Sequence, residues 1–133
     1  MSPDSNKALV LEFLQRLESG NIDHALTLLS DDATWWVGGK PEQFPVAGTM
    51  NKEQLRGLLN KLVTPMPNGL RMTPSGITAE GARVAVEVES YGHAANGRLY
   101  NNQYHFLFVV EGDLICSVKE YLDTLHTKAV FLD

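Results

Sequence analysis

A single cysteine, Cys116, stands among the 133 residues. No internal disulfide can form, and a cysteine-rich zinc site is excluded with it. Lysines and arginines never cluster, and the net charge is −5. Nonspecific contact with nucleic acid or an anionic membrane needs a basic face, which this chain lacks. No apolar run approaches the length of a membrane span. The opening Met1-Ser2-Pro3-Asp4 is polar and has no apolar signal core. Together with the lone thiol, this predicts a cytoplasmic, reduced protein. The histidines His24, His93, His105 and His126 are scattered, with no pair at metal-ligand spacing, so no metal is expected. Gly38-Gly39 lacks the strand-to-helix setting and the Lys-Ser or Lys-Thr pair of a phosphate loop. A nucleophilic Ser or Cys triad is not suggested either.

What is present fits one globular domain over 1–133, with 44% apolar and 20% charged residues. Leu9, Val10, Phe13, Leu14 and Leu17 recur at helical spacing from about Asp4 to Ser19, and Gly20-Asn21 stops that helix. A second short helix uses Ile22, Ala25, Leu26 and Leu29, and Ser30-Asp31-Asp32 ends it as turn formers. Ala33 to Val37 reads as a strand, and Gly38 to Met50 as a loop. Asn51 caps a third helix with Gln54 at the capping-box position, and Leu55, Leu58, Leu59 and Leu62 form its apolar face. Four strands follow: Leu70 to Thr78, with Pro74 marking an edge or bulge, then Arg83 to Tyr91, Leu99 to Val110 and Leu114 to Leu122. Glu80-Gly81, Asn96-Gly97 and Glu111-Gly112-Asp113 are the turns. Asp123 reads as the cap of a short terminal turn. Helices gathered on one side of an antiparallel sheet make an α+β fold.

Strand parity sets what faces inward. On the last strand, Leu114, Cys116, Val118, Glu120 and Leu122 share one face, apolar except for Glu120. Cys116 is then a buried, inert thiol. Val84, Val86, Val88 and Ser90 face inward on their strand, with Glu87 and Glu89 outward. Tyr104, Phe106 and Phe108 form one row, and His105, Leu107 and Val109 the other. A sheet apolar on both faces packs on both sides, so the outer one is a candidate dimer interface. Trp35 and Trp36 point opposite ways.

The stretches Gly97-Arg98-Leu99-Tyr100-Asn101-Asn102-Gln103-Tyr104, Glu111-Gly112-Asp113-Leu114-Ile115 and Lys119-Glu120-Tyr121-Leu122-Asp123-Thr124 resemble the SnoaL-like branch of the ketosteroid-isomerase-like superfamily, which also holds nuclear transport factor two. Leu28 to Ala33 resembles it too, so the likeness covers nearly the whole chain. The resemblance implies a cystatin-like α+β roll, a cone-shaped curved antiparallel sheet wrapped around three N-terminal helices with a pocket at its wide end. It also implies a homodimer through the outer face of the sheet. Functions in the superfamily include isomerisation, cyclisation, hydrolysis, dehydration and binding alone, so the site has to carry the argument. Glu120 matches the catalytic acid on the last strand of limonene epoxide hydrolase. The positions that carry that enzyme's Arg and Asp are Val88 and Ser90 here, and those of its Tyr and Asn are Trp35 and Val37. One acid of that machinery is left.

Glu120 is therefore the candidate general acid or base, because burial raises a carboxyl into the range useful for proton transfer. Its alternative is a structural pairing with a Lys, an Arg or the backbone. Tyr104 and Asn102 are candidates to polarise a ligand carbonyl, or else a polar network that closes the pocket. Trp35 stacks on a ligand or is core. The expected pocket is lined by Trp35, Val37, Val88, Ser90, Phe106 and Val118. The expectation is a small-molecule pocket protein without a cofactor that binds an apolar molecule, as an isomerase, cyclase or hydratase. The alternative is a binding or interaction module without turnover.

Overall fold

The computed structural model describes residues 2–133. Helix α1 (Pro3–Glu18) starts at a Ser2–Ser5 capping box, and buries Val10, Phe13, Leu14 and Leu17 along one stripe. It ends where Gly20 takes a positive φ of 87°. Helix α2 (Ile22–Leu26) is only five residues long. Leu29 is not on it, because strand β1 (Leu29–Val37) already begins there. Ser30-Asp31-Asp32 accordingly lies inside the strand rather than in a turn. Ser30 donates to Asp32 at 3.0 Å, and Asp31 meets Lys52 at 3.7 Å. Pairing with β7 on either side of them, at Leu29 and from Thr34 onward, carries the strand through this irregular stretch.

The loop after β1 contains a three-residue strand, β2 (Gly48–Met50). Helix α3 (Lys52–Leu62) has the expected Asn51–Gln54 box. Strands β3 (Arg71–Glu80) and β4 (Arg83–His93) pair with a register shift between Pro74 and Gly76, where the proline was expected to bend the strand. The expected long strand from Leu99 is two elements, β5 (Leu99–Tyr100) and β6 (Gln103–Glu111). Asn101-Asn102 interrupts them. Strand β7 (Leu114–Leu122) is followed by a true helix, α4 (Thr124–Phe131), which Asp123 caps through a bond from the His126 N–H.

The strand order is β2-β1-β7-β6-β4-β3, with β5 on the end of β4. All pairs are antiparallel except β1 with β7, so the sheet is mixed rather than purely antiparallel. These two strands enter the sheet from opposite ends of the chain. No hairpin constrains their direction, so a parallel pairing is open to them. Bulges curve the sheet over the helices, as the cone-shaped α+β expectation requires. One of them corrects the parity of β7. The register with β6 slips between Val109 and Val110, and Cys116 is the unpaired residue. Ile115 is therefore fully buried, Leu114 is exposed and Cys116 is half-buried, its Sγ donating to the Val109 carbonyl. Burial, with Glu111 nearby, still pushes the thiol up from its usual value. Beyond the bulge the parity holds, with Val118 and Glu120 inward and Lys119 and Tyr121 outward.

Phe13, Trp35, Phe106 and Phe108 pack edge-on and tilted, with ring centroids 5.6–6.5 Å apart. This aromatic knot joins α1 to the middle of the sheet. Among the described residues, no helix is long and apolar enough to cross a membrane.

Candidate functional site

A cavity of about 90 Å³ opens between the concave face of the sheet and the helices. Its sides are α3, the Phe44–Val46 loop, β1, β6, β7 and α4. Leu58, Leu59 and Leu62 on α3 are only half-buried, because they line the cavity instead of filling it. The lining is apolar apart from one cluster, made of Glu120, Tyr104, Tyr100 and Thr127.

Glu120 sits beside Phe106 on β6 and Val37 on β1. Its Oε1 accepts the Trp35 indole N–H at 2.8 Å. Oε2 has no hydrogen-bond partner among the described residues, and it is not sealed away, so it opens on the cavity. The side chain is half-buried and lines the cavity. Burial raises its pKa from 4.5 to about 7, and the indole bond opposes that rise. No Lys or Arg pairs with it, so the structural ion pair is absent from the described residues.

Tyr104 lies on the inward row of β6 and stacks on Phe106, at a centroid distance of 5.0 Å. Its hydroxyl hydrogen-bonds to that of Tyr100. Burial pushes Tyr104 well above the usual tyrosine value, and the charges of Tyr100 and Glu120 add to it. Tyr100 is raised as well, chiefly by burial. Both phenols are therefore neutral proton donors at ordinary pH.

Asn102 is nearly inaccessible and does not line the cavity. Its Oδ1 accepts from the backbone N–H groups of Gln103 (2.7 Å) and Asp123 (3.1 Å). Its Nδ2 donates to Tyr100 Oη (3.0 Å), Thr127 Oγ1 (2.8 Å) and the Asp123 carbonyl (3.1 Å). With every polar atom engaged, Asn102 belongs to a polar network at one end of the pocket, the second of the two roles offered for it, and does not face the cavity. Its role reaches the cavity indirectly. Tyr100 and Tyr104 share a hydrogen bond in which either hydroxyl can be the donor, and Asn102 Nδ2 reaches the same Tyr100 oxygen.

Of the residues named for the pocket, Trp35, Val37 and Phe106 line the cavity, and Val88, Ser90 and Val118 do not. The last three are buried on the inward face, and α1 packs over the β3–β4 part of the sheet. Ser90 accepts the Asn102 backbone N–H instead. Trp36 faces outward against Tyr121 at 5.1 Å. Tyr100 and Thr127 are the site residues that sequence reasoning missed. Thr127, Val130 and Phe131 show the i, i+3, i+4 spacing that marks a helix face, and the Asp123 cap adds to that signal. Of the histidines, His24, His93 and His105 are exposed, and His126 stacks on Tyr100 at 5.4 Å. No group of three or more possible metal ligands occurs among the described residues.

The family described as the SnoaL-like domain matches residues 10–118. No curated protein matches the chain. Among solved structures, a nuclear transport factor two-like protein of unknown function from Burkholderia pseudomallei K96243 superimposes with a TM-score of 0.81 at 17% identity, covering 100% of both chains. A nuclear transport factor two-like protein from Burkholderia xenovorans LB400 is 26% identical over 98% of both chains, with a TM-score of 0.76. TerC, co-crystallised with polyporic acid, is 15% identical and covers 95% of this chain and 97% of its own, with a TM-score of 0.78.

Proposed function

The chain belongs to the SnoaL-like domain family, and on that premise we propose that it takes a small apolar carbonyl compound into its cavity and moves a proton on it. Glu120 acts as the general base and then as the general acid. Tyr104 donates to the carbonyl oxygen, where negative charge develops. Asn102 and Tyr100 orient that donor without touching the ligand. The observation that carries this reading is the unpartnered Glu120 Oε2 and the Tyr104 hydroxyl lining one apolar cavity. The proton leaves a carbon beside the carbonyl, rests on Oε2, and returns to the same or another carbon. Atoms and charge balance without a further reactant, as in an isomerisation or the enolisation step of a cyclisation. TerC, a structural neighbour, was crystallised with polyporic acid, in keeping with small-molecule binding in this fold.

Exchange in deuterium oxide tests the reading without knowledge of the natural substrate. The full chain is incubated with a panel of apolar ketones, and loss of the α-proton signal is followed by NMR. Exchange should rise with pH through a midpoint near 7, because the base is the ionised carboxyl. Glu120→Gln should slow it by about a hundredfold or more. Equal exchange in wild type and variant sinks the proposal.

A second reading, ligand capture without turnover, is favoured by one feature. The lining holds a single carboxylate and no His, Lys or Arg to share acid–base work with it. It predicts tight ketone binding that survives Glu120→Gln, with no exchange. In either reading the chain pairs with a second copy through the outer face of the sheet. Trp36, Leu107, Val109 and Tyr121 form an apolar patch there. Lys119 on β7 stands between Trp36 and Leu107, and His105 on β6 pairs with Glu87 on β4.

A further inference from the structure

We propose that Trp35 is a positioning residue: its indole N–H pins Oε1 of Glu120, which leaves Oε2 as the one carboxyl oxygen that can take or give a proton in the cavity. This rests on the reading of Glu120 as the proton-transfer group.

Trp35 is 5% exposed and is held by ring contacts to Phe13, Phe106 and Phe108 at 5.9, 6.0 and 6.5 Å. Those contacts come from α1 and β6, so the ring plane is set by two elements that carry no part of the acid. Its one polar atom, Nε1, donates to Glu120 and to nothing else among the described residues. Trp35 pairs with Val118 in the parallel β1–β7 ladder, and Glu120 pairs with Val37. The indole therefore reaches the carboxyl diagonally along one face of the sheet, and it cannot follow the carboxyl into another rotamer without leaving the aromatic knot. Trp35 also lines the cavity, but its ring has no polar atom left for a ligand, since Nε1 is engaged by Glu120. The residue acts through the acid, not on the substrate.

A carboxyl so held has a defined proton site. When Glu120 is neutral, Oε1 still accepts from the indole, so the proton resides on Oε2, toward the cavity. When Glu120 is ionised, the indole stabilises the charge. The ionisable groups that line the cavity with Glu120 are Tyr104 on β6 and Tyr100 on β5. No charged residue of α1, α3, β1 or α4 lines it.

The bland alternative is that Glu120 merely satisfies a buried indole. A glutamine would do that equally well and without charge, and the experiment separates the two. The full chain is labelled with ¹⁵N, and the Trp35 indole signal is identified by its persistence in Trp36→Phe. In wild type this signal should shift with pH at a midpoint near 7, reporting ionisation at the oxygen it binds. In Glu120→Gln the shift should vanish while the signal stays in a folded position. In Trp35→Phe the Glu120 carboxyl, read by ¹³C NMR, should titrate roughly one pH unit higher, because the ionised form has lost its donor. An indole signal that ignores pH in wild type, or that titrates unchanged in Glu120→Gln, overturns the proposal. Both of those measurements stand if Trp35→Phe fails to fold. An indole that tracks Glu120 in a protein with no ketone exchange upholds the pin and removes the proton-transfer reading alone.

Discussion

Burial lifts the Glu120 carboxyl from 4.5 to about 7 although the Trp35 indole pulls the other way. The stability consequence has a definite sign. The folded pKa lies above the unfolded one, so the folded state holds its proton more tightly between these values. The penalty for keeping Glu120 ionised is absent below 4.5, grows as pH rises, and is complete above about 7. Its size is about 3 kcal/mol. Glu120→Gln keeps an acceptor for the indole and removes the charge. It should therefore stabilise the protein by up to about 3 kcal/mol at alkaline pH, with the gain fading toward pH 4.5. Urea unfolding of the two proteins across that range measures it. A variant that is equally stable at every pH would mean that Glu120 is well solvated. A residue that costs stability where it is charged is a mark of function rather than of folding. Strand parity and the apolar neighbours of Glu120 made this position legible in the sequence. Its partner was not, because the sequence places Trp35 and Glu120 eighty-five residues apart.

At the scale of elements, α4 is attached to the body largely by polar bonds to the segment from Asn96 to Asn102. Asn96 donates to the Val130 carbonyl at 2.9 Å, Arg98 to that of Ala129 at 2.8 Å, and the Asn101 N–H to His126 Nε2 at 3.0 Å. Asn102 ties both ends of the first helical turn to the Tyr100 hydroxyl. Leu125, 77% exposed, contributes little to the docking. Asn102→Ala leaves two backbone N–H groups and the Tyr100–Thr127 pair without their partner, and should lower stability by about 3 kcal/mol or more. It should also raise hydrogen exchange selectively across α4 and β5. Uniform exchange over the whole chain would show that α4 is held by its apolar contacts instead. The capping box of α3 could be read from spacing alone, since both partners lie within one turn. Helix α4 was legible only in its Asp123 cap and a short stripe of Thr127, Val130 and Phe131, because its remaining bonds come from a distant hairpin. The Asn96-Gly97 hairpin was legible, although only Gly97 adopts a positive φ, of 85°. Asn96 serves the turn through a bond from the Arg98 N–H, and serves α4 through its amide.

For the molecule as a whole, the outer face is the surface the fold leaves unpartnered. Trp36→Asp replaces a half-buried ring of the apolar patch with a charge. If the proposed pairing forms, this should shift the chain from dimer toward monomer in sedimentation. A wild-type chain that sediments as a monomer at all concentrations rules the pairing out. The inner face carries the site, and its aromatic knot is where truncation is felt most. Phe13 and Phe108 of that knot make no bond to Glu120, whereas loss of the Trp35 indole also moves its titration.

The sequence by itself determined the local features: helix starts, turns, the inward rows of β4 and β6, and an acid on an apolar face. Each depends on neighbours within a few residues, where periodicity and capping carry the information. Tertiary structure alone decided the parallel meeting of β1 and β7, the bulge that turns Ile115 inward, and the docking of α4 on Asn102. These come from packing between segments far apart in the chain, which no local pattern encodes. They are what bring Trp35 to Glu120 and Tyr100 to Tyr104.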